Sequence, residues 1–189
     1  NAYCVSGNKM SNYRHEYSEE ACAAARVIRE AFPAVEFTIF ELVQLNEFVN
    51  HQLAHNVLFL SVEDDIIDFV FDLLKEQFPG KVLLDPTPEL YHQYWYDGMI
   101  VLNKLVTEAP RGNEEAWHTR LEKMLVDLVS DPLLQEVISK SEYPAIFEGA
   151  FSGYVIDESC LFRYAKRRAA EKRLRALIRE KTNITLRTE

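Results

Sequence analysis

Glycine is scarce in this chain, with six among 189 residues. The six are not clustered, which excludes a phosphate-cradling glycine-rich loop. Cysteine is scarcer, and Cys4, Cys22 and Cys160 form no C-x-x-C pair. An odd number of widely spaced thiols argues against a disulfide framework and for reduced cysteines in a cytoplasmic protein. No apolar run approaches the roughly 18 residues that a membrane span needs, so no membrane partner is expected. No Ser or Cys stands in a nucleophile elbow. Neither an initiator Met nor a signal peptide is present. A tag remnant at Asn1-Ala2 and a start within a longer protein both fit. The strand-like Ala2-Tyr3-Cys4-Val5, followed by Ser6-Gly7-Asn8, favours the second.

What the chain does contain is a hydrophobic fraction of 48%, with eleven Phe. That composition excludes a disordered protein, and the length suits one domain with a real core. Charge is divided unevenly. Residues 160–189 hold ten Lys/Arg against three acids, whereas residues 1–159 hold 11 against 27, so a −16 body ends in a +7 tail. A basic face on an acidic body suits one particular polyanion or acidic partner, because the body repels what the tail attracts.

Patterning predicts a helix over 18–32, capped by Ser18, carrying Glu19 and Glu20 in its first turn and stopped by Pro33. A strand at 35–40 alternates Val35, Phe37 and Ile39 with Glu36 and Thr38. A short helix at 42–51, a central strand at 56–62 and a helix at 64–78 ended by Pro79-Gly80 follow. Strands are expected at 81–84 and 99–106, with a short aromatic-rich helix at 86–96 between them. After the break at 107–113, only helices are expected: 114–129, 132–139, 141–151 and 157–181. The fold class is therefore α/β or α+β, a small mixed sheet of about four strands with flanking helices and then an all-helical half. The expected organisation is a residual strand at 1–8, an α/β portion at 9–106 and a helical portion at 107–189, forming one compact domain.

Candidate chemistry is sparse. His51 and His55 stand at i and i+4, the spacing with which a helix presents two imidazoles to one zinc ion. Gln52 occupies the place where a zincin carries its general base, so hydrolysis by that route is lost. Glu63, Asp64 and Asp85 follow strands and could serve a metal-dependent nuclease or nucleotidyltransferase. The strand at 81–84 lacks a Glu-x-Lys and no Gly-Ser turn precedes paired aspartates, so acids at a helix start explain Glu63-Asp64-Asp65 better. On the helix that begins the second half, Leu121, Leu125 and Leu128 make a buried stripe. Arg120, Lys123 and Asp127 lie off it, with Arg120 and Lys123 as candidate partner-surface residues and Arg120–Glu122 as an ion pair.

The terminal helix has two apolar groups. Leu161, Phe162, Ala165 and Ala169 share one face, and Leu174, Leu177 and Ile178 lie about 150° away at 100° per residue. One straight helix cannot bury both against one surface. Either it kinks near Ala170-Glu171, or Leu174, Leu177 and Ile178 meet a partner chain, and the protein is accordingly a monomer or a homodimer. Arg163, Lys166, Arg167, Arg168, Lys172, Arg173, Arg175 and Arg179 flank both groups and are the candidate contacts to nucleic acid or a partner.

Three segments carry a family resemblance. They are Phe37-Thr38-Ile39-Phe40-Glu41-Leu42 with the following Leu45-Asn46-Glu47-Phe48 and His51-Gln52, His118-Thr119-Arg120-Leu121-Glu122-Lys123-Met124-Leu125-Val126-Asp127-Leu128, and the run from Tyr154-Val155-Ile156-Asp157 to Lys166-Arg167-Arg168. Together they resemble the C-terminal region of AbiE-type antitoxins, bacterial transcriptional regulators of type IV toxin–antitoxin and abortive-infection systems. The likeness runs from about residue 2 to 179 and rests on patterns of apolar and charged residues. It implies a winged helix-turn-helix ahead of this region, with Asn1-Ala2-Tyr3-Cys4-Val5 matching the end of the wing. It further implies a nucleotidyltransferase-like toxin as partner and auxiliary contacts to the DNA backbone. The expectation is a non-enzymatic regulator domain without cofactor or metal. The alternative is a degenerate metal-dependent nuclease or nucleotidyltransferase using Glu63, Asp64 and Asp85.

Overall fold

The structure, a computed structural model of the chain, describes residues 10–187. The strand expected at 1–8 and Cys4 lie outside them. Helix α1 (Glu19–Ala31) starts as the sequence predicts, with the Ser18 hydroxyl accepting from the Ala21 amide at 3.1 Å. Strand β1 (Phe37–Glu41) leads into a 3-10 segment, Leu42–Glu47. Strand β2 (Val57–Val62) is followed by α2 (Ile67–Gln77), β3 (Val82–Leu84), α3 (Pro88–Tyr94) and β4 (Met99–Lys104). The second half comprises α4 (Leu121–Ser130), α5 (Pro132–Val137), α6 (Tyr143–Gly153), α7 (Glu158–Arg167) and α8 (Glu171–Lys181).

The four strands form one mixed sheet in the order β1-β2-β4-β3. The β2, β4 and β3 strands run parallel and β1 is antiparallel on the edge. This is the α/β class that the alternation of strands and helices calls for. Both faces are covered. Ile39, Leu58, Leu60, Ile100 and Leu102 pack with Ala24 and Ile28 of α1 and Val70 and Leu74 of α2. On the other face Phe40, Val57, Phe59, Met99 and Val101 pack with the helices of the second half. Double coverage explains why β1 is buried at all five positions, Thr38 and Glu41 included, where alternation suggested a half-buried strand.

Three expectations need correction. The first concerns residues 48–56, which are not helical. His51 and His55 therefore share no helix face. His51 pairs with Glu142 at 3.1 Å, and His55 lies against the Trp95 ring at 5.4 Å between centroids.

The second concerns the start of α4, seven residues later than expected. Residues 117–119 serve the open edge of β1 instead: the Ile39 amide donates to the Trp117 carbonyl at 2.8 Å, and the Thr119 hydroxyl donates to the Ile39 carbonyl at 2.8 Å. A sheet edge with free backbone groups competes with helix extension, and here the edge prevails. The preceding loop needs Gly112, because a Cβ there would stand 2.4 Å from the Glu115 carbonyl oxygen.

The third concerns the terminal helix, which divides in two where the sequence allowed either a kink or a partner. The Ala170 amide reaches the Ala165 carbonyl at 2.8 Å and the Ala169 amide reaches that of Lys166 at 3.0 Å, while Ala169 takes a φ of 49°. This is the Schellman ending, with alanine where glycine is usual. The turn rotates α8 so that Leu174 and Ile178, at 0% and 1% exposure, join the same core as Leu161, Phe162 and Ala165. Leu174 and Ile178 are thus interior residues and no partner surface. Leu177 is half-buried against that core.

Candidate functional site

Two of the segments behind the family resemblance meet along the contact between α4 and α7, and polar side chains line that contact. At one end Glu122, 3% exposed, accepts two bonds from Arg120 at 2.9 and 3.0 Å and one from the Asp157 amide at 2.9 Å. Asp157 in turn caps α7 by accepting from the Cys160 amide. At the other end Asp127 accepts from Lys123 at 2.6 Å and from the Tyr164 hydroxyl at 2.9 Å. Arg168 approaches Asp127 at 3.4 Å and Asp131 at 3.6 Å, and its Nε donates to the Ser130 hydroxyl at 3.0 Å. Contacts advance along both helices together (122 with 157, 127 with 164, 131 with 168), so α4 and α7 lie parallel.

These groups are deep in the fold. Lys123 is 5% exposed and Asp127 9%, so Lys123 is not the surface residue that its place off the leucine stripe suggested. The Arg120–Glu122 pair is present, but half-buried at the arginine and buried at the glutamate. Buried charges survive only when paired, and each of these is. Burial and the neighbouring charge of Asp127 push the Asp131 carboxyl up. Burial beside Asp127 likewise pushes the Tyr164 phenol up, which keeps it a donor.

The cluster opens at the carboxyl ends of the three parallel strands, where Ser61, Asp85, Asn103 and Lys104 border a cavity of about 520 Å³. Crevices at the carboxyl ends of parallel strands are where open α/β sheets hold ligands. At the opposite end of the sheet lies another buried carboxylate, Glu41, 1% exposed. It accepts from His15, from the Ser18 amide and from Asn56. Burial alone would raise its pKa, but these donors hold it below the ordinary range.

The basic residues of α7 and α8 divide into tied and free. Arg167 forms a forked pair with Glu108, Arg179 pairs with Glu180, and Arg175 pairs with Glu171 while lying 3.7 Å over the Phe162 ring. Arg168 belongs to the buried cluster. Arg163, Lys166, Lys172 and Arg173, and Lys181 at the end of α8, are exposed and make no ion pair among the described residues. On α7 the exposed Arg163, Lys166 and Arg167 follow i, i+3, i+4 spacing and so share one face.

The acids considered for metal chemistry are engaged in different ways. Glu63 accepts from the Glu36 amide, Asp64 pairs with Lys104 at 2.7 Å, and Asp85 ends β3 with a φ of 40°. Among the described residues no three His, Cys, Asp or Glu side chains converge as metal ligands. Sequence reasoning missed Asp131, Tyr164, Ser61 and Asn103. Their signal was faint: a polar residue ending an otherwise apolar strand face, and a Lys-x-x-x-Asp pair inside a leucine-rich helix.

Fold and site together define a doubly covered α/β domain with a polar helix–helix contact and a basic terminal surface. The chain belongs to the family of unknown function DUF6577, whose model matches residues 1–184. Comparison with curated proteins and with solved structures finds no match.

Proposed function

We propose that this chain is a non-enzymatic regulator domain of the antitoxin kind, acting through a partner protein and auxiliary contacts to the DNA backbone. The carrying observation is the set of free cations. Arg163, Lys166, Lys172 and Arg173 stand exposed on α7 and α8 without ion pairs among the described residues, on a chain whose net charge is −9. Holding exposed cations without ion pairs on two successive helices serves binding to an anionic surface better than it serves stability. The likeness to AbiE-type antitoxins supports the same reading, because two of its motif segments build the α4–α7 contact that carries the basic face. A nucleotidyltransferase-like toxin is the expected protein partner.

Backbone contacts of this kind carry no base sequence and weaken steeply with salt. Anisotropy titrations of the chain against duplex DNA, with and without the combined Arg163→Ala, Lys166→Ala, Lys172→Ala and Arg173→Ala changes, test the proposal. Loss of binding to DNA and to a co-expressed nucleotidyltransferase-like toxin, at unchanged stability, is the expected result. Retention of both would leave the basic face a solvated surface and sink the reading.

A further inference from the structure

The three parallel strands change character at the same level. On the face toward the second-half helices, β2 presents Val57 and Phe59 and then Ser61. Strand β4 presents Met99 and Val101 and then Asn103, and the β3 face runs from Leu83 to Asp85. Each series leaves the apolar core and ends in a polar side chain bordering the 520 Å³ cavity. The side chains of Ser61, Asn103 and Asp85 make no hydrogen bond among the described residues. Ser61 and Asn103 are half-buried and Asp85 beside them is exposed, so hydrogen-bonding capacity at one spot is directed at whatever fills the space.

Across the cavity the helices contribute Lys123 and Arg168. An ammonium has three donors and Lys123 engages one, on Asp127. A guanidinium has five, and Arg168 places one within hydrogen-bond distance, on Ser130. Asp127, by contrast, already accepts from Lys123 and Tyr164. Donors are thus in surplus on the helix side, although the acids nearby cancel the net charge. That balance disfavours a polyanion such as nucleic acid and suits one small anionic group.

We propose that the cavity binds a small hydrophilic molecule bearing a carboxylate or a phosphate. Its anionic group rests on Lys123 and Arg168, and its hydroxyl or amino groups rest on Ser61, Asn103 and Asp85. The volume falls within the range of about 300–1,000 Å³ usual for small-molecule sites. Because Arg168 is the C-cap of α7, immediately before the turn into α8, an occupant would bear directly on the junction of the two basic helices. The binding proposal is independent of the regulator reading, and either can fail alone.

The test is a nitrogen-15 shift titration of the whole chain with inorganic phosphate, ribose 5-phosphate and glutamate in separate arms. Saturable shifts at Ser61, Asn103, Lys123 and Arg168 below about 10 mM are expected from at least one probe. The responding arm tells a phosphate from a carboxylate source. Substituting Lys123 would strip Asp127 of a partner and endanger the fold, so the variants are Ser61→Ala and Asn103→Ala. Each should weaken binding by about tenfold, the effect of one lost hydrogen bond, without moving the thermal midpoint. No saturable shift from any probe, shifts confined to Arg163, Lys166, Lys172 and Arg173, or unchanged affinity in both variants would each overturn the proposal.

Discussion

On α4, Glu122, Lys123 and Asp127 are at most 9% exposed, and each ends on a partner inside the fold. On α7 and α8, Arg163, Lys166, Lys172 and Arg173 stand in solvent with no ion pair among the described residues. Both regions have charged residues flanking leucines at helical spacing, and in sequence the two look alike. The difference comes from the neighbours. Helix α4 is enclosed by α5, α7, α8 and one face of the sheet, so its charges must be neutralised internally. The terminal helices bury one side only, and their outward cations keep their water. A charge count therefore says little about use until the packing is known.

The sharpest way to break this comparison is to remove the carboxylate that α4 supplies to the cluster. Asp127→Ala would leave Lys123 and Arg168 short of a partner in a buried setting, and should lower stability by about 3–5 kcal/mol in urea titrations. A loss below about 1 kcal/mol, the level of a surface pair, would mean that the cluster is solvated after all. On the terminal helices the expected effect is on binding and not on folding. The fourfold alanine variant should reduce the slope of log affinity for DNA against log salt by about 3–4, at about 0.9 per lost phosphate contact.

Leu177 lies between the two regimes. Leu177→Ser should cost about 1–2 kcal/mol, as expected for a half-buried leucine, with no change in the mass measured by size-exclusion light scattering. A fall from dimer to monomer would restore the partner-surface reading for this residue. At the junction of α7 and α8, Ala169→Gly should raise stability by up to about 1 kcal/mol. Glycine takes the left-handed conformation without the Cβ clash, although it also gains freedom when unfolded.

Acid titration distinguishes the two ends of the sheet. Donors to Glu41 hold its folded pKa below its unfolded value. Its contribution is therefore present above the unfolded pKa and is lost as pH falls through the folded one. Asp131 has the opposite sign, since burial and Asp127 raise its pKa, and acidification relieves that unfavourable ionisation. Glu41→Gln should consequently flatten the loss of stability between neutral pH and about pH 3, while Asp131→Asn should steepen it. Chemical unfolding at several pH values would show both.

Much of the fold was legible in the residues. Ser18 and Pro33 bracket α1, the run from Val57 to Val62 is apolar enough to be central, and Pro79-Gly80 closes α2. The break in the terminal helix was legible too, because Leu161 and Leu174 could not face one surface on a straight axis. Less legible were the 3-10 turn at Leu42–Glu47 and the late start of α4. In both places helical spacing was present, but edge pairing by residues 117–119 and the turn after Phe48 took precedence. Of the site, the basic residues were visible, since they depend only on composition. The α4–α7 cluster was not, because Asp127 and Tyr164 lie 37 residues apart and nothing local marks them as partners.

By itself, then, the sequence determined the alternation of elements, the apolar faces that drive them together and the division into an acidic body and a basic tail. Those properties follow from local spacing and composition. Tertiary structure alone decided which charges are interior and which are free, that the helical break turns Leu174 and Ile178 inward, and that polar strand ends meet Lys123 and Arg168 around one cavity. Such outcomes depend on which distant surfaces come into contact, and desolvation acts on a charge only once that contact is made.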